Sequence, residues 1–146
     1  MVEMKIITVG KKQEKFVTAG ISEYEQRLRK PFQVAWVVLS DGDLAVEEKA
    51  ILRAVGAEDF VILLDERGEN LTSPELAKLV DTKMQNQNVV FVIGGSFGVG
   101  AGVRERADFT WSLSKLVLPH QLVRLVLIEQ IYRAQTIKNN QNYHHA

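Results

Sequence analysis

The sequence predicts an α/β fold in which helices cover both faces of a mostly parallel sheet. Strand-like and helix-like segments alternate along the chain, which is the order found in doubly wound sheets. Two of the strand-like runs, at residues 60–64 and 89–93, are almost wholly apolar, as in strands buried on both faces. No internal repeat or linker divides the 146 residues, so we expect a single domain over residues 1–146.

The N-terminal half of the chain predicts three strands and two helices. Runs of β-branched and aromatic residues closed by turn sequences predict strands at residues 4–9, 32–39 and 60–64. Apolar residues at intervals of three and four predict helices at residues 16–28 and 44–55. Gly10, Pro31 and Gly56 end the elements that precede them. The polar residues 65–70 are predicted to form a loop.

The C-terminal half predicts two strands and three helices. Ser73 and Pro74 form a favourable helix start, a capping side chain followed by proline at the first helical position, and this helix runs to about Gln85. The remaining elements are a strand, a short helix, a strand and the longest helix, at residues 89–93, 103–107, 109–113 and 119–138. Ligands of such sheets bind at the carboxyl ends of strands. The segments after Leu64, Ile93 and Leu113 are therefore the candidate binding loops.

Five glycines lie between Gly94 and Gly102, directly after a buried strand. The spacing from Gly95 to Gly100 is that of a phosphate-binding P-loop, but Ala101-Gly102 replaces the lysine and hydroxyl residue that such a loop needs. The dinucleotide fingerprint GxGxxG is also missing. Two interpretations stay open: a purely structural turn, or a main chain that approaches a ligand closely.

Composition sets the broad class of the protein. Cysteine is absent, which excludes disulfides, a thiol nucleophile and thiolate metal sites and fits a reducing cytoplasm. No apolar stretch approaches the length of a membrane span, and no signal peptide is expected. The net charge of zero divides into +3 for residues 1–31, −6 for residues 32–102 and +3 for residues 103–146. The two basic ends could form one nucleic-acid-binding face, or the charges could simply be scattered and solvated.

A motif before the longest helix is the most specific signal in the chain. In this motif Ser114-Lys115 is followed after three residues by Pro119-His120, and after three more residues by Arg124. The unpaired backbone N–H groups at the start of a helix can bind a small ligand. The same residues could also be purely structural, as the end of a strand that leads into a helix starting with proline.

With the Ile-Gly-Gly-Ser at residues 93–96 and the Tyr-His at residues 143–144, this motif resembles the SPOUT-class (α/β-knot) methyltransferases. Within that class it is similar to the family that methylates N3 of a pseudouridine in 23S ribosomal RNA of the large subunit.

The resemblance implies a C-terminal trefoil knot, a homodimer and a ribosomal RNA stem-loop as substrate, with the ribosome as partner. It also implies S-adenosylmethionine as methyl donor and S-adenosylhomocysteine as product. The residues that would hold the donor are those matching the family's binding positions: Leu64, Gly94, Leu113, Ser114, Lys115, Leu116, Val117 and Leu118.

The long helix and the tail supply the candidate catalytic residues. Glu129 and Arg133 are spaced i,i+4, which is also what a plain surface ion pair would show. The resemblance makes Arg133 an RNA-binding or catalytic residue oriented by Glu129, with Tyr143 and His144 beside it. His144, or water held by Tyr143 and Arg133, is the candidate base. His145 stands where the family has Lys or Arg, and adjacent histidines without a third ligand do not predict a metal site.

Two other functions stay open. The chain could be a different α/β enzyme that uses a nucleotide or nicotinamide, although both phosphate motifs fail. It could also be a non-catalytic, ribosome-binding dimer of the same fold.

Overall fold

A five-stranded parallel sheet forms the centre of the protein, described by a computed structural model over residues 2–145. The strand order is β2-β1-β4-β3-β5, and every pairing is parallel. The strands are β1 Met4–Val9, β2 Val34–Leu39, β3 Phe60–Asn70, β4 Val89–Ile93 and β5 Phe109–Ser112. The helices are α1 Lys15–Glu25, α2 Leu44–Ala54, α3 Ser73–Lys83, α4 Ala101–Arg106 and α5 His120–Lys138.

Helices pack on both faces of the sheet, as the sequence predicts. One face carries α1, α3 and α5. Their buried side chains form a core with the alternate side chains of β1, β3 and β4 that point to this face. The other face carries α2 and α4, which pack through Ile51 and Val103. Successive β1 residues Ile6 and Ile7 enter opposite cores, because side chains alternate along a strand. The α/β fold is confirmed, and all five strands end at one edge of the sheet.

The predicted loop at residues 65–70 is wrong, because β3 continues through it. A register shift between Leu64 and Glu69 lets the strand bulge and then pair again with the end of β5. Gly68 makes this return possible, since a Cβ there would lie 2.5 Å from the Thr110 carbonyl oxygen. The Asn70 side-chain amide also donates to the Ser112 carbonyl oxygen at 3.0 Å. The polar composition of residues 65–70 gave no indication that this segment bulges and then pairs again with β5.

The capping residue of α3 also differs from the prediction. Thr72 is the N-cap: its hydroxyl accepts from the Glu75 N–H at 3.2 Å, and the Glu75 carboxylate accepts from the Thr72 N–H at 2.7 Å. This reciprocal capping box lowers the pKa of Glu75. Ser73 instead donates its hydroxyl hydrogen to Gln130 on α5, at 2.6 Å. The hydroxyl residue next to the proline therefore ties α3 to α5.

Within residues 2–145, no helix has both the length and the apolar character needed to cross a bilayer.

Candidate active site

A cavity of about 420 Å³ opens at the carboxyl ends of β3, β4 and β5. The three segments that the sequence singles out meet there. Seven of the eight predicted donor-binding residues line it: Leu64, Gly94, Leu113, Ser114, Leu116, Val117 and Leu118. The eighth, Lys115, is exposed and lies outside the lining. Apolar side chains form the deeper wall, including Ile93 and the buried ring of Trp111.

The turn between β5 and α5 forms one side of the cavity. The Ser112 hydroxyl donates to the Ser114 carbonyl oxygen at 2.8 Å, and the Ser114 hydroxyl accepts from the Leu116 N–H at 3.0 Å. The two serines thus shape the backbone, while the side chains of Leu116 and Val117 remain 72% and 78% exposed at the mouth. A backbone held by its own hydroxyl groups is suited to main-chain recognition of a ligand.

The first turn of α5 closes this side. Pro119 is the N-cap, and no side chain within residues 2–145 caps the helix. The N–H groups of this first turn lack intrahelical acceptors, as at any helix start. His120 and Val123 line the cavity. Burial, with the positive charge of Arg124, lowers the pKa of His120, which keeps its imidazole uncharged near neutral pH.

Arg124, the last residue of the sequence motif, is buried and points away from the cavity. It is only 2% exposed and donates to the carbonyl oxygens of Val9 at 3.1 Å and Gly10 at 2.8 Å. It also donates to the side chain of Gln13 at 3.1 Å. Burial lowers its pKa. The motif arginine therefore fastens the start of α5 to the end of β1.

The glycine loop is a tight turn at the edge of the cavity. The Gly98 N–H donates to the Gly95 carbonyl oxygen at 3.0 Å, and Gly98 has a φ of 77°. Phe97 lies at the tip of the turn and is 84% exposed. At Gly94, a Cβ would lie 2.8 Å from the Gly98 carbonyl oxygen and 2.7 Å from a Val99 methyl carbon. Gly94 is required by the turn itself, and it also lines the cavity.

Two glutamates of α2, which sequence reasoning missed, lie against this loop. Glu47 is 6% exposed, accepts from the Gly42 N–H at 2.9 Å, and would lie 3.2 Å from a Cβ at Gly95. Glu48 accepts from the Gly102 N–H at 2.7 Å and so caps α4 from a neighbouring helix. A Cβ at Gly100 would lie 2.6 Å from the Glu48 carboxylate. Several glycines are thus explained by the approach of these carboxylates.

Charged residues that the sequence analysis left in a loop form the cavity rim. Asp65 follows the apolar half of β3, and its carboxylate pairs with Arg104 of α4 at 2.6 Å and with Arg67 at 3.3 Å. Burial would raise the pKa of Asp65, but hydrogen bonds from Arg67 and Arg104 outweigh it and lower that pKa. Asp65 and Arg67 directly follow a buried strand, which was the signal available in the sequence.

The four candidate catalytic residues meet elsewhere, on the side of α5. One oxygen of Glu129 accepts from Arg133 at 2.6 Å and from the Tyr143 hydroxyl at 2.8 Å. The opposite end of the Arg133 guanidinium lies 3.1 Å from His144 Nδ1. Arg133 also lies 4.8 Å from the centre of the Tyr143 ring. Glu129 therefore fixes the orientation of the Arg133 guanidinium.

The tail reaches α5 through a sharp turn. Asn140 adopts a left-handed backbone with a φ of 55°, and the Gln141 N–H donates to the Thr136 carbonyl oxygen at 2.9 Å. Tyr143 then packs edge-on against Tyr132, with ring centres 4.7 Å apart. Burial and the hydrogen bond to Glu129 raise the pKa of Tyr143, so the phenol stays protonated.

The cavity and this tail cluster are separate within one chain. Val123 lines the cavity and Glu129 orients the tail cluster, and both are on α5. They are six positions apart on the helix, which is about 9 Å along the axis and places them on different faces.

Comparison with known proteins identifies the family. A family model described as "Predicted SPOUT methyltransferase" matches residues 2–144. The chain belongs to the SPOUT methyltransferases. This SPOUT methyltransferase is 40% identical to ribosomal RNA large subunit methyltransferase H of Desulfitobacterium hafniense, over 99% of this chain and 99% of that protein.

Proteins of the same name from Streptococcus agalactiae and Geobacter metallireducens are each 40% identical to it. The matches cover 97% and 99% of this chain respectively, and 99% of each relative. The resemblance inferred from the motif at residues 114–124 is confirmed. In the part of the chain that the structure describes, no three His, Asp or Glu side chains form a group able to hold a metal ion.

Proposed function

We propose that this SPOUT methyltransferase methylates N3 of a pseudouridine in a stem-loop of 23S ribosomal RNA. It would act in the cytoplasm as a homodimer with a C-terminal trefoil knot, on assembled ribosomes, with S-adenosylmethionine as donor. The observation that carries the proposal is the cavity where seven donor-binding positions of the family converge. The relatives' name, a ribosomal RNA large subunit methyltransferase, supports the substrate class.

The cavity suits the proposed donor in size and chemistry. Its volume of about 420 Å³ lies within the range of small-molecule sites, about 300–1,000 Å³. Leu64, Ile93 and Trp111 offer apolar surface to an adenine ring, and the turn at Ser114 offers main-chain groups. When bound, S-adenosylmethionine supplies an activated methyl group on a sulfonium centre.

The protein's own contribution is chiefly alignment and proton handling. Orientation of two reactants can supply roughly 7–11 kcal/mol of a barrier. The Tyr143 phenol is held protonated beside Glu129 and is a donor rather than a base. His144 Nδ1 faces Arg133, a permanent cation whose pKa the Glu129 hydrogen bond raises further. We assign Arg133 to substrate binding and His144, or water held by Arg133 and Tyr143, to removal of the N3 proton.

Separation of the two residue groups supports a dimer. Within one chain, the tail cluster and the donor cavity occupy different faces of α5. Methyl transfer requires substrate and donor in contact, within about 3–3.5 Å of each other. A second copy can supply the tail cluster to the cavity, which makes each active site composite.

A basic loop beside the cavity supports an RNA substrate. Lys11 and Lys12 in the loop after β1, and Lys15 at the start of α1, are exposed at the sheet edge where the cavity opens. Arg124 and Gln121 hold this loop against α5, the latter accepting from the Glu14 N–H at 2.6 Å. Exposed lysines at this edge can contact phosphates while the base enters the site.

Calorimetry and a methylation assay test the proposal. The wild-type protein should bind S-adenosylhomocysteine in preference to ATP or NAD, and should methylate ribosomes lacking this modification, with mass spectrometry locating the methyl on a pseudouridine. Leu118→Trp should fill the cavity and abolish binding, whereas Leu52→Trp, on exposed α2 surface, should not. Preference for ATP or NAD would indicate a different enzyme, and ribosome binding without donor binding would indicate a non-catalytic dimer.

A further inference from the structure

The rim of the cavity contains a guanidinium group whose hydrogen-bonding capacity is largely unused. Arg104 lines the cavity from α4 and is 33% exposed. Its Nη1 pairs with Asp65 at 2.6 Å. Within residues 2–145, the guanidinium has no other ionic partner, and its Nη2 would lie 3.9 Å from a Cβ at Gly98. Arginine has five N–H donors, and Asp65 is the one ionic partner of this group among the described residues.

Other residues fix the position of this arginine. Glu48 caps the start of α4. One carboxylate oxygen of Asp65 pairs with Arg104, and the other accepts a hydrogen bond from the Arg67 N–H at 2.9 Å. The Asp65 side chain is 10% exposed, so it is already occupied by protein donors. Asp65 is therefore a positioning residue, and Arg104 is the group with donors left for a ligand.

The charges are confined to one side of the cavity. Asp65, Glu66 and Arg67 lie on the polar half of β3 and Arg104 lies on α4, whereas the wall formed by Ile93 and Trp111 is apolar. A ligand with an aromatic base at one end and a charged group at the other would be oriented by this division. Because Asp65 and Glu66 balance Arg67 and Arg104 in formal charge, the rim suits the zwitterionic end of an amino acid, with its single carboxylate, better than a phosphate.

We propose that Arg104, positioned by Asp65, binds the α-carboxylate of the amino-acid end of the methyl donor. The inference rests on the proposed function, because it presumes that the donor occupies this cavity. Guanidinium and carboxylate form paired, parallel hydrogen bonds, which Lys or Gln cannot reproduce. Arg104 then helps to distinguish the complete donor from adenosine compounds that lack the amino acid.

Paired titrations of two ligands test this inference. S-adenosylhomocysteine carries the carboxylate, and 5′-methylthioadenosine lacks it but keeps the adenosine and sulfur. Arg104→Gln should weaken binding of the first by roughly tenfold or more and leave the second unchanged. Asp65→Asn should give the same selective loss, and the two substitutions combined should be less than additive because they disturb one interaction. Arg67→Gln tests the other rim guanidinium. Arg53→Gln, an exposed residue in the last turn of α2 and outside the cavity lining, is the matched control and should change neither affinity.

Each outcome separates this inference from the proposed function. If the wild-type protein binds neither ligand, the donor assignment fails, and this inference with it. If the wild type binds both and Arg104→Gln weakens both equally or neither, the inference alone is overturned. A selective loss in Arg67→Gln instead of Arg104→Gln would also overturn it. Thermal unfolding identifies a variant that does not fold, in which case Arg104→Lys carries the same comparison.

Discussion

Replacing Arg124 by Met should destabilise the protein by about 3 kcal/mol. The substitution keeps the apolar stem but leaves the carbonyl oxygens of Val9 and Gly10 without the donors that now reach them. A buried acceptor left unsatisfied costs about 1–3 kcal/mol, and hydrogen bonds from a charged donor are among the stronger ones. Relief of the buried charge offsets part of the loss. The total corresponds to a fall in Tm of about 10 °C for a chain of this size.

Urea unfolding at a fixed protomer concentration measures this effect. Arg53→Met provides the control, because Arg53 is an exposed residue in the last turn of α2 and should change stability by less than about 0.5 kcal/mol. If Arg124→Met is as stable as Arg53→Met, the buried arginine is not what fastens α5 to the end of β1. Donor titration on the folded variant would then report whether the first turn of α5 still frames the cavity.

Three further predictions address the sheet edge, the tail and the pH dependence. Gly68→Ala should cost about 1–3 kcal/mol, because its Cβ would lie 2.5 Å from a backbone oxygen of β5; unchanged urea unfolding would contradict the close approach. Tyr143→Phe removes the 2.8 Å hydrogen bond to Glu129, so kcat should fall while S-adenosylhomocysteine affinity stays near wild type; equal kcat would remove the phenol from the reaction. His120 has a lowered pKa from burial and from Arg124, so the unfolded chain binds its proton more readily. The free energy of unfolding should therefore be unaffected by His120 above about pH 7 and should decrease as the pH falls through about 6.5. His120→Asn should reduce this decrease, as measured by unfolding at two pH values.

The order of elements could be predicted because each strand and helix carries its own local pattern. All ten elements occur where the sequence patterns indicate them, and apart from the end of β3 their ends differ by three residues or fewer. The polar half of β3 could not be predicted in the same way. Its pairing with Trp111 and Ser112 depends on a partner strand about 40 residues further along the chain, and a polar edge segment has no periodicity that distinguishes it from a loop.

The apolar wall of the cavity was more predictable than its charged rim. Residues such as Leu64 and Gly94 follow buried strands, so topology alone brings them to one edge. Arg104 depends on a short helix whose start is capped by Glu48, more than 50 residues earlier in the chain. Such a contact has no local sequence signal. The burial of Arg124 was equally hidden, because an arginine on an amphipathic helix is ordinarily a solvated residue.

The two tryptophans are placed so that one of them can act as an intrinsic fluorescent reporter. Trp111 is 3% exposed and forms part of the apolar wall of the cavity. Trp36 lies on the edge strand β2, where its indole N–H donates to Glu25 at 2.9 Å, away from the lining. In a Trp36→Phe protein, emission would come from the cavity wall alone. Ligand entry could then be followed in real time without any label.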